Sequence, residues 1–268
     1  MRLEDATSTI VSPQGTAYRV DGQGEAVVWI HGVGMQHGVW APQWREFART
    51  HQVVAYDMLG HGASRLPPPD ATLADYAAQL CALLDHLDIA AATVVGHSMG
   101  ALVALEFALR HPQRVQRVAA LNAVYGRTPA QRRAVQARAE ALQHTGVQAT
   151  IAATIARWFG QPVPPDLQPA AEQVSAYLQQ VHAQGYAQAY RLFAASDAAH
   201  AGRLPHLTMP ALFLTGELDA NSTPAMSQAM SLEAPHAQVD VIAGARHMMN
   251  VTAPDAVNQR LRRWLLET

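Results

Sequence analysis

The stretch "ATVVGHSMGALVALEFALRHP", residues 91–111, constrains the fold more than any other part of the chain. A short apolar run, Ala92 to Val95, halts at Gly96. His97, Ser98, Met99 and Gly100 follow, and an apolar helical pattern over 100–110 starts at once. A strand that turns straight into a helix brings the two backbones nearly into collision, so the residues two before and two after the apex must be small. Gly96 and Gly100 meet that demand. Ser98 takes the apex, where its Oγ projects above the sheet and the free N–H groups of the helix N-terminus point at whatever sits beside it.

The remaining pattern tells what surrounds this turn. "STIVS" (8–12) and "TAYRV" (16–20), split by Pro13-Gln14-Gly15, read as a hairpin. Further strands are expected at 26–30, 52–58, 92–95, 115–123, 210–216 and 237–244. Helices are expected at 72–87, at 254–267 and between the last two strands. Apolar strands alternating with helices predict a parallel sheet covered on both faces. Residues 125–205 break the alternation. They carry helical patterns, punctuated by Pro162, Pro164 and Pro165, with no strand between them. An all-helical insert of this kind is expected to lie over the C-terminal edge of the sheet, where open α/β sheets bind ligands. The expected division is a core domain of 1–124 and 206–268 and a helical cap of 125–205.

Composition narrows the chemistry. At 268 residues one sizeable core is possible, and a net charge of −2 gives no reason to expect nucleic acid or an anionic membrane as partner. All 19 basic residues are arginine. The absence of lysine excludes a Schiff-base lysine, a pyridoxal-phosphate anchor and a P-loop. Cys81 is the one cysteine, so there is no disulfide framework and no cysteine-rich metal site. Its place in "LADYAAQLCALLDHL" predicts a buried structural thiol. "MRLEDATSTI" lacks the apolar core of a signal peptide, and no apolar run reaches the roughly 18 residues of a membrane span. The expectation is a cytoplasmic monomer or homodimer acting on a small molecule without a metal or cofactor.

A serine hydroxyl is a weak nucleophile at neutral pH; it needs a base, and the base needs an acid to orient it. On this kind of sheet the order along the chain is Ser, then Asp or Glu, then His, each just past a late strand. After "PALFLTG" comes "ELDANSTP", offering Glu217 and Asp219; Asp219 lies further out on the loop and is preferred. After "AQVDVIAG" comes "ARHMMN", offering His247. An oxyanion site would use the N–H of Met99, the residue after the nucleophile, and one from "HGVGMQHGVW", with Val33 preferred and Gly34 its near rival. His31 and His97 flank the site and are expected to make fixed hydrogen bonds rather than transfer protons. Arg157 in "ARWFG" is the candidate partner for a substrate carboxylate, with Trp158 as an apolar wall. Gly34, Met35, Tyr125, Met248 and Met249 are further candidates to line the pocket.

Taken together, "HGVG", "VVAYDMLGHGAS", "GHSMG", "LTGELDANSTP" and "ARHMMNVTAP" resemble the α/β-hydrolase superfamily, in the expected order and across nearly the whole chain. The resemblance implies a mostly parallel eight-stranded sheet flanked by helices, a helical cap inserted after the sixth strand, and Ser98, Asp219 and His247 as a triad. The insert is similar to that of 3-oxoadipate enol-lactonases, through "TIARWFG" (154–160) and "GYAQAYRLFAASD" (185–197) leading into "LPHLTMPALFLTG". "NVTAP" after His247 is more like hydrolases of aminoacrylate or of small amides. The expected activity is therefore cofactor-free hydrolysis of an ester or lactone in a small molecule, with or without a carboxylate, through an acyl-enzyme. The alternatives are an amide or enamine hydrolase of small nitrogen-containing compounds, a general carboxylesterase, and a non-enzymatic ligand receptor on the same fold. Ser98 argues against dehalogenase and epoxide hydrolase chemistry, which needs a carboxylate nucleophile.

Overall fold

The computed structural model describes residues 9–267. Eight strands form one sheet: β1 (Ile10–Val11), β2 (Ala17–Asp21), β3 (Ala26–Ile30), β4 (Gln52–Tyr56), β5 (Ala92–His97), β6 (Val115–Leu121), β7 (Ala211–Gly216) and β8 (Ala237–Ile242). Their spatial order is β1-β2-β4-β3-β5-β6-β7-β8. The first two strands pair antiparallel with each other, β2 runs antiparallel to β4, and every pairing from β4 to β8 is parallel. The helices of the core are α1 (Ala41–Phe47), α2 (Leu73–His86) and α3 (Met99–Arg110). The insert between β6 and β7 supplies α4 (Pro129–Thr145), α5 (Ile151–Phe159), α6 (Gln168–Gln179) and α7 (Ala183–Ala195); α8 (Pro224–Glu233), α9 (Met249–Thr252) and α10 (Pro254–Glu267) complete the chain. Every residue of β3, β5 and β7 is buried, so both faces of the central sheet are covered.

Several boundaries differ from the sequence expectation for local reasons. The first strand keeps only Ile10 and Val11, because Ser12 closes the turn: its carbonyl accepts from Gly15 N at 2.8 Å and its Oγ from Thr16 N at 3.2 Å. Ser8 and the rest of residues 1–8 lie outside the described residues. The fourth strand ends at Tyr56, where the Asp57 carboxylate gathers the N–H groups of His37 (2.7 Å) and Ala63 (3.1 Å). The sixth ends at Leu121, because Asn122 turns left-handed at φ +50°. Cys81 is half-buried rather than buried, on the flank of α2 beside Arg114. Among the described residues no helix is long and apolar enough to cross a membrane.

The junction of β5 and α3 is as tight as its residues require. A methyl group on Gly96 would sit 2.0 Å from the carbonyl oxygen of Gly100, and one on Gly100 would sit 2.3 Å from that of Ile30 in the neighbouring strand. Ser98 between them adopts φ +56° and ψ −116°, a conformation that costs an L-residue of order 1–3 kcal/mol. Its N–H is held by Leu121 O at 2.8 Å. Around it α3 is buried from Met99 to Ala108 and apolar apart from Glu106, which pairs with Arg110 and Arg203. Gly100→Ala is therefore expected to destabilise the fold by about 1–3 kcal/mol through overpacking alone, since Gly100 has no positive φ to lose. Urea unfolding reads this directly; an unchanged midpoint would contradict the close approach.

Candidate active site

Three loops at the C-terminal edge of adjacent strands meet at one point. Ser98 N donates to Leu121 O at the end of β6, and Asn122 N donates to Leu214 O in β7 at 2.9 Å. Glu217 N and Leu218 N, just past β7, donate to Ile242 O and Ala245 O at 3.0 and 2.8 Å. Each strand end is thus tied to the next, which brings the turn after β5, the loop after β7 and the loop after β8 together. Ser98, Asp219 and His247 are each 3 % exposed, so their chemistry is screened from bulk water.

The hydrogen bonds run in one direction. His247 Nδ1 donates to Asp219 Oδ2 at 2.7 Å, which leaves Nε2 as an acceptor 3.2 Å from Ser98 Oγ. Asp219 Oδ2 also accepts from Asn122 Nδ2 at 2.8 Å, and Oδ1 accepts from the backbone N–H of Asn221 (2.8 Å) and Ser222 (3.2 Å). Burial pushes the Asp219 pKa up. The His247 charge and the hydrogen bonds from His247, Asn122 and Asn221 outweigh it and hold the carboxyl below its usual range. Glu217, the rival acid, turns away and accepts from Gly244 N at 2.7 Å. His97 Nε2 donates to His247 O at 2.7 Å, and burial lowers its pKa to about 3. Its role is therefore a fixed hydrogen bond from a neutral ring. The Trp158 ring stacks on His247, with centroids 5.4 Å apart and planes 30° apart. Such an array can take a proton from a hydroxyl and return it to a leaving group.

Among the described residues the N–H groups of Val33 and Met99 have no acceptor, and both residues adjoin Ser98. Gly34 is not equivalent to Val33: its N–H is already donated to His61 Nε2 at 3.0 Å. A side chain on Gly34 would strike Leu178 and Tyr186 at 2.7 Å, so this residue faces the insert and not the space above Ser98.

That space is about 10 Å³, the room of about one water. Helices α4, α5 and α7 close it with Arg138, Arg157, Trp158, Tyr190 and Phe193, and Asn221 closes it from the loop after β7. Arg138 and Arg157 also line two larger spaces beyond it, of about 300 and 180 Å³. Neither arginine has a carboxylate within 4 Å among the described residues. Arg127 and Arg132, by contrast, both pair with Asp197. Arg138 Nε donates to Tyr190 OH at 3.1 Å and Arg157 Nη2 to Thr154 Oγ1 at 3.3 Å, while the buried Arg157 Nε has no partner. Burial lowers the Arg157 pKa; Tyr190 opposes this and Arg138 adds to it. Two guanidinium groups so placed can receive a carboxylate.

Arg157 and Trp158 thus sit where a pocket role requires, but other candidates do not. Tyr125 gives its hydroxyl to Glu233 on α8, which draws the ring away from the cavity. Met35, Met248 and Met249 are packed in the hydrophobic core and do not line the space above Ser98. Arg138 was not among the sequence candidates, although a signal existed. It stands three residues after Val135 and four before Leu142, the two buried positions of α4. An arginine on an apolar stripe is a charge facing inward. Asn122, Tyr190, Phe193 and Asn221 carried no comparable mark. Among the described residues no cluster of three His, Cys, Asp or Glu could hold a metal ion.

A family model described as the alpha/beta hydrolase fold matches residues 25–254. The chain is 41 % identical over 251 residues to the (E)-2-((N-methylformamido)methylene)succinate hydrolase of Acinetobacter baylyi, covering 94 % of each. It is 31 % identical to 3-oxoadipate enol-lactonase 2 of the same organism, over 90 % of this chain and 89 % of that one. Among solved structures, the enol-lactonase from Burkholderia xenovorans LB400 superposes with a TM-score of 0.86 at 26 % identity, covering 94 % of this chain and 96 % of the other.

The depressed Asp219 pKa makes a pH prediction. A carboxyl whose folded pKa lies below its unfolded value stabilises the fold above the unfolded pKa, about 3.9, and loses that contribution as pH falls through the folded pKa. Asp219→Asn should therefore flatten the acid-side fall of unfolding free energy relative to wild type. Equal slopes in urea titrations from about pH 5 downward would show that the carboxylate is not stabilised in the fold.

Proposed function

This chain belongs to the α/β-hydrolase family, and we propose that it is a serine hydrolase cleaving an amide bond of a small dicarboxylate. Ser98 is the nucleophile, His247 the base and Asp219 its orienting acid. Oγ attacks the acyl carbon while Nε2 of His247 takes the hydroxyl proton. The carbonyl electrons move to oxygen, where the N–H groups of Val33 and Met99 stabilise the charge. As the C–N bond breaks, the imidazolium gives its proton to the leaving nitrogen. Water then attacks the acyl-enzyme, with His247 again as base, and releases Ser98 and a carboxylic acid. Helices α4–α7 act as a cap that shuts the reaction off from bulk water.

The observation that carries the substrate class is the pair Arg138 and Arg157, half-buried beside Ser98 and without a carboxylate of the protein's own within 4 Å among the described residues. The buried, unpartnered Nε of Arg157 leaves a donor that a ligand carboxylate would satisfy. A dicarboxylate fits, and the relative sharing 41 % identity is named for a methylformamido derivative of a succinate. A second reading keeps the same machinery but opens an ester or lactone. It is supported by the 31 % identity to an enol-lactonase and by the superposition on another. In both readings Ser98 does the same work; only the leaving atom differs.

A panel of an N-formyl enamine dicarboxylate, a carboxylated enol-lactone and neutral p-nitrophenyl esters separates them. Preferred turnover of the enamide supports the amide reading; preferred turnover of the lactone overturns it for the second. Ser98→Ala should lower turnover of every active substrate by at least about 10⁴-fold while leaving the fold intact. Arg138→Ala and Arg157→Ala should each lower kcat/KM for the dicarboxylate by about ten- to a hundredfold, the worth of one charged hydrogen bond. Hydrolysis of p-nitrophenyl acetate should change little. Equal losses on charged and neutral substrates would remove the arginines from carboxylate recognition.

A further inference from the structure

The segment "DMLGHGAS" after β4 is not used by the mechanism above, yet it carries a buried histidine aimed at the loop that supplies Val33. His61 is 1 % exposed. Its Nδ1 donates to Leu59 O at 3.0 Å and its Nε2 accepts from Gly34 N at 3.0 Å. His31, at the end of β3, does the converse. Its Nδ1 donates to Gly32 O at 2.8 Å, and its Nε2 accepts from Met58 N at 3.0 Å. The two rings lie edge to face with centroids 5.0 Å apart. The loop after β3 and the loop after β4 are therefore stitched crosswise, each receiving a ring from the other.

Both tautomers follow from the partners. A carbonyl only accepts and a backbone amide only donates, so Nδ1 of each ring carries the proton and Nε2 of each is bare. Burial keeps both rings neutral, lowering His61 to about 4 and His31 to about 3. The consequence lies in two consecutive peptide planes. Gly32 O is held by His31 Nδ1 and by Met35 N (3.1 Å), so the trans N–H of the same plane, that of Val33, points the other way. Ser98 lies close to this segment: a side chain on Gly32 would meet Ser98 Cβ at 3.2 Å, and Val33 lines the space above Ser98 with it. The next plane carries the Gly34 N–H, and His61 holds it away from the reaction space.

The geometry points to His61 as a positioning residue for the oxyanion site. By binding the Gly34 N–H it locks the peptide that follows Val33, so that the Val33 N–H alone is presented beside Ser98. The inference rests on the serine hydrolase reading, and it extends the working site to a loop that contributes no reacting atom. Ordinary structural packing by His61 would affect stability. Positioning requires more: a change in the chemical step with little change in substrate binding.

The test compares His61→Leu, His61→Gln and His61→Asn on p-nitrophenyl acetate and on the most active panel substrate. Leucine fills the space without an acceptor. Glutamine places an amide oxygen where Nε2 was, whereas asparagine is too short to reach Gly34. The expected result for His61→Leu is a fall in kcat of about 10²–10³-fold, the worth of one oxyanion donor, with KM within about threefold. Affinity for a boronate, which mimics the tetrahedral state, should fall in parallel while affinity for succinate holds. His61→Gln should recover most of the loss and His61→Asn little of it. If the leucine variant does not fold, the glutamine–asparagine difference carries the same test. Unchanged kcat in folded His61→Leu or His61→Asn, or kcat and succinate affinity falling together, would overturn the proposal. A wild-type protein with no Ser98-dependent turnover would instead overturn the reading beneath it.

Discussion

The near-collision of β5 with α3 is the constraint on which the site depends. With methyl groups excluded at Gly96 and Gly100, the helix axis comes so close to the sheet that its first turn begins within one residue of the strand. That closeness delivers three things together. Ser98 is forced into a strained, outward-pointing conformation. The Met99 N–H is left without a helical partner at the place where negative charge would develop. The largely apolar, buried helix behind it anchors the strain, because moving Ser98 to a relaxed conformation would pull buried side chains out of a packed core.

Around this turn, charge is managed in two contrasting ways. Asp219 is surrounded by four donors, which matches the capacity of a carboxylate, so it can stay ionised while buried. His31, His61 and His97 are instead held neutral by burial and by partners that fix one tautomer each. Arg138 and Arg157 follow neither pattern. They are positive and close to each other, with only hydroxyl and carbonyl oxygens for company. Neither has a carboxylate within 4 Å among the described residues, whereas Arg127 and Arg132 share Asp197.

What the sequence made legible and what it hid follow from range. The strands and the glycine-flanked serine are written locally, through apolar runs and small residues at fixed spacing, and the sheet follows from them. The placement of Asp219 and His247 was readable because each lies just past a strand, and adjacent parallel strands end side by side. The preference for Val33 over Gly34 was a choice between neighbours that only His61, far along the chain, resolves. Lining residues were hardest, because the insert is a set of amphipathic helices whose inward faces depend on packing angles. Tyr125 and Met35 looked available from their positions in the chain. One is claimed by Glu233 and the other by the core. Arg138 was overlooked because arginine on a helix is ordinarily a solvated residue; its position between Val135 and Leu142 was the overlooked clue.

The stack of Trp158 on His247 ties the insert to the imidazole mechanically. Trp158 is the chain neighbour of Arg157, and both ride on α5. The space above Oγ has about a water's room, and the larger spaces lined by Arg138 and Arg157 lie beyond it. Any displacement of α5 would therefore move Arg157 and the indole together. One short helix thus carries both the ring that stacks on the imidazole and a guanidinium that lines the space above Ser98.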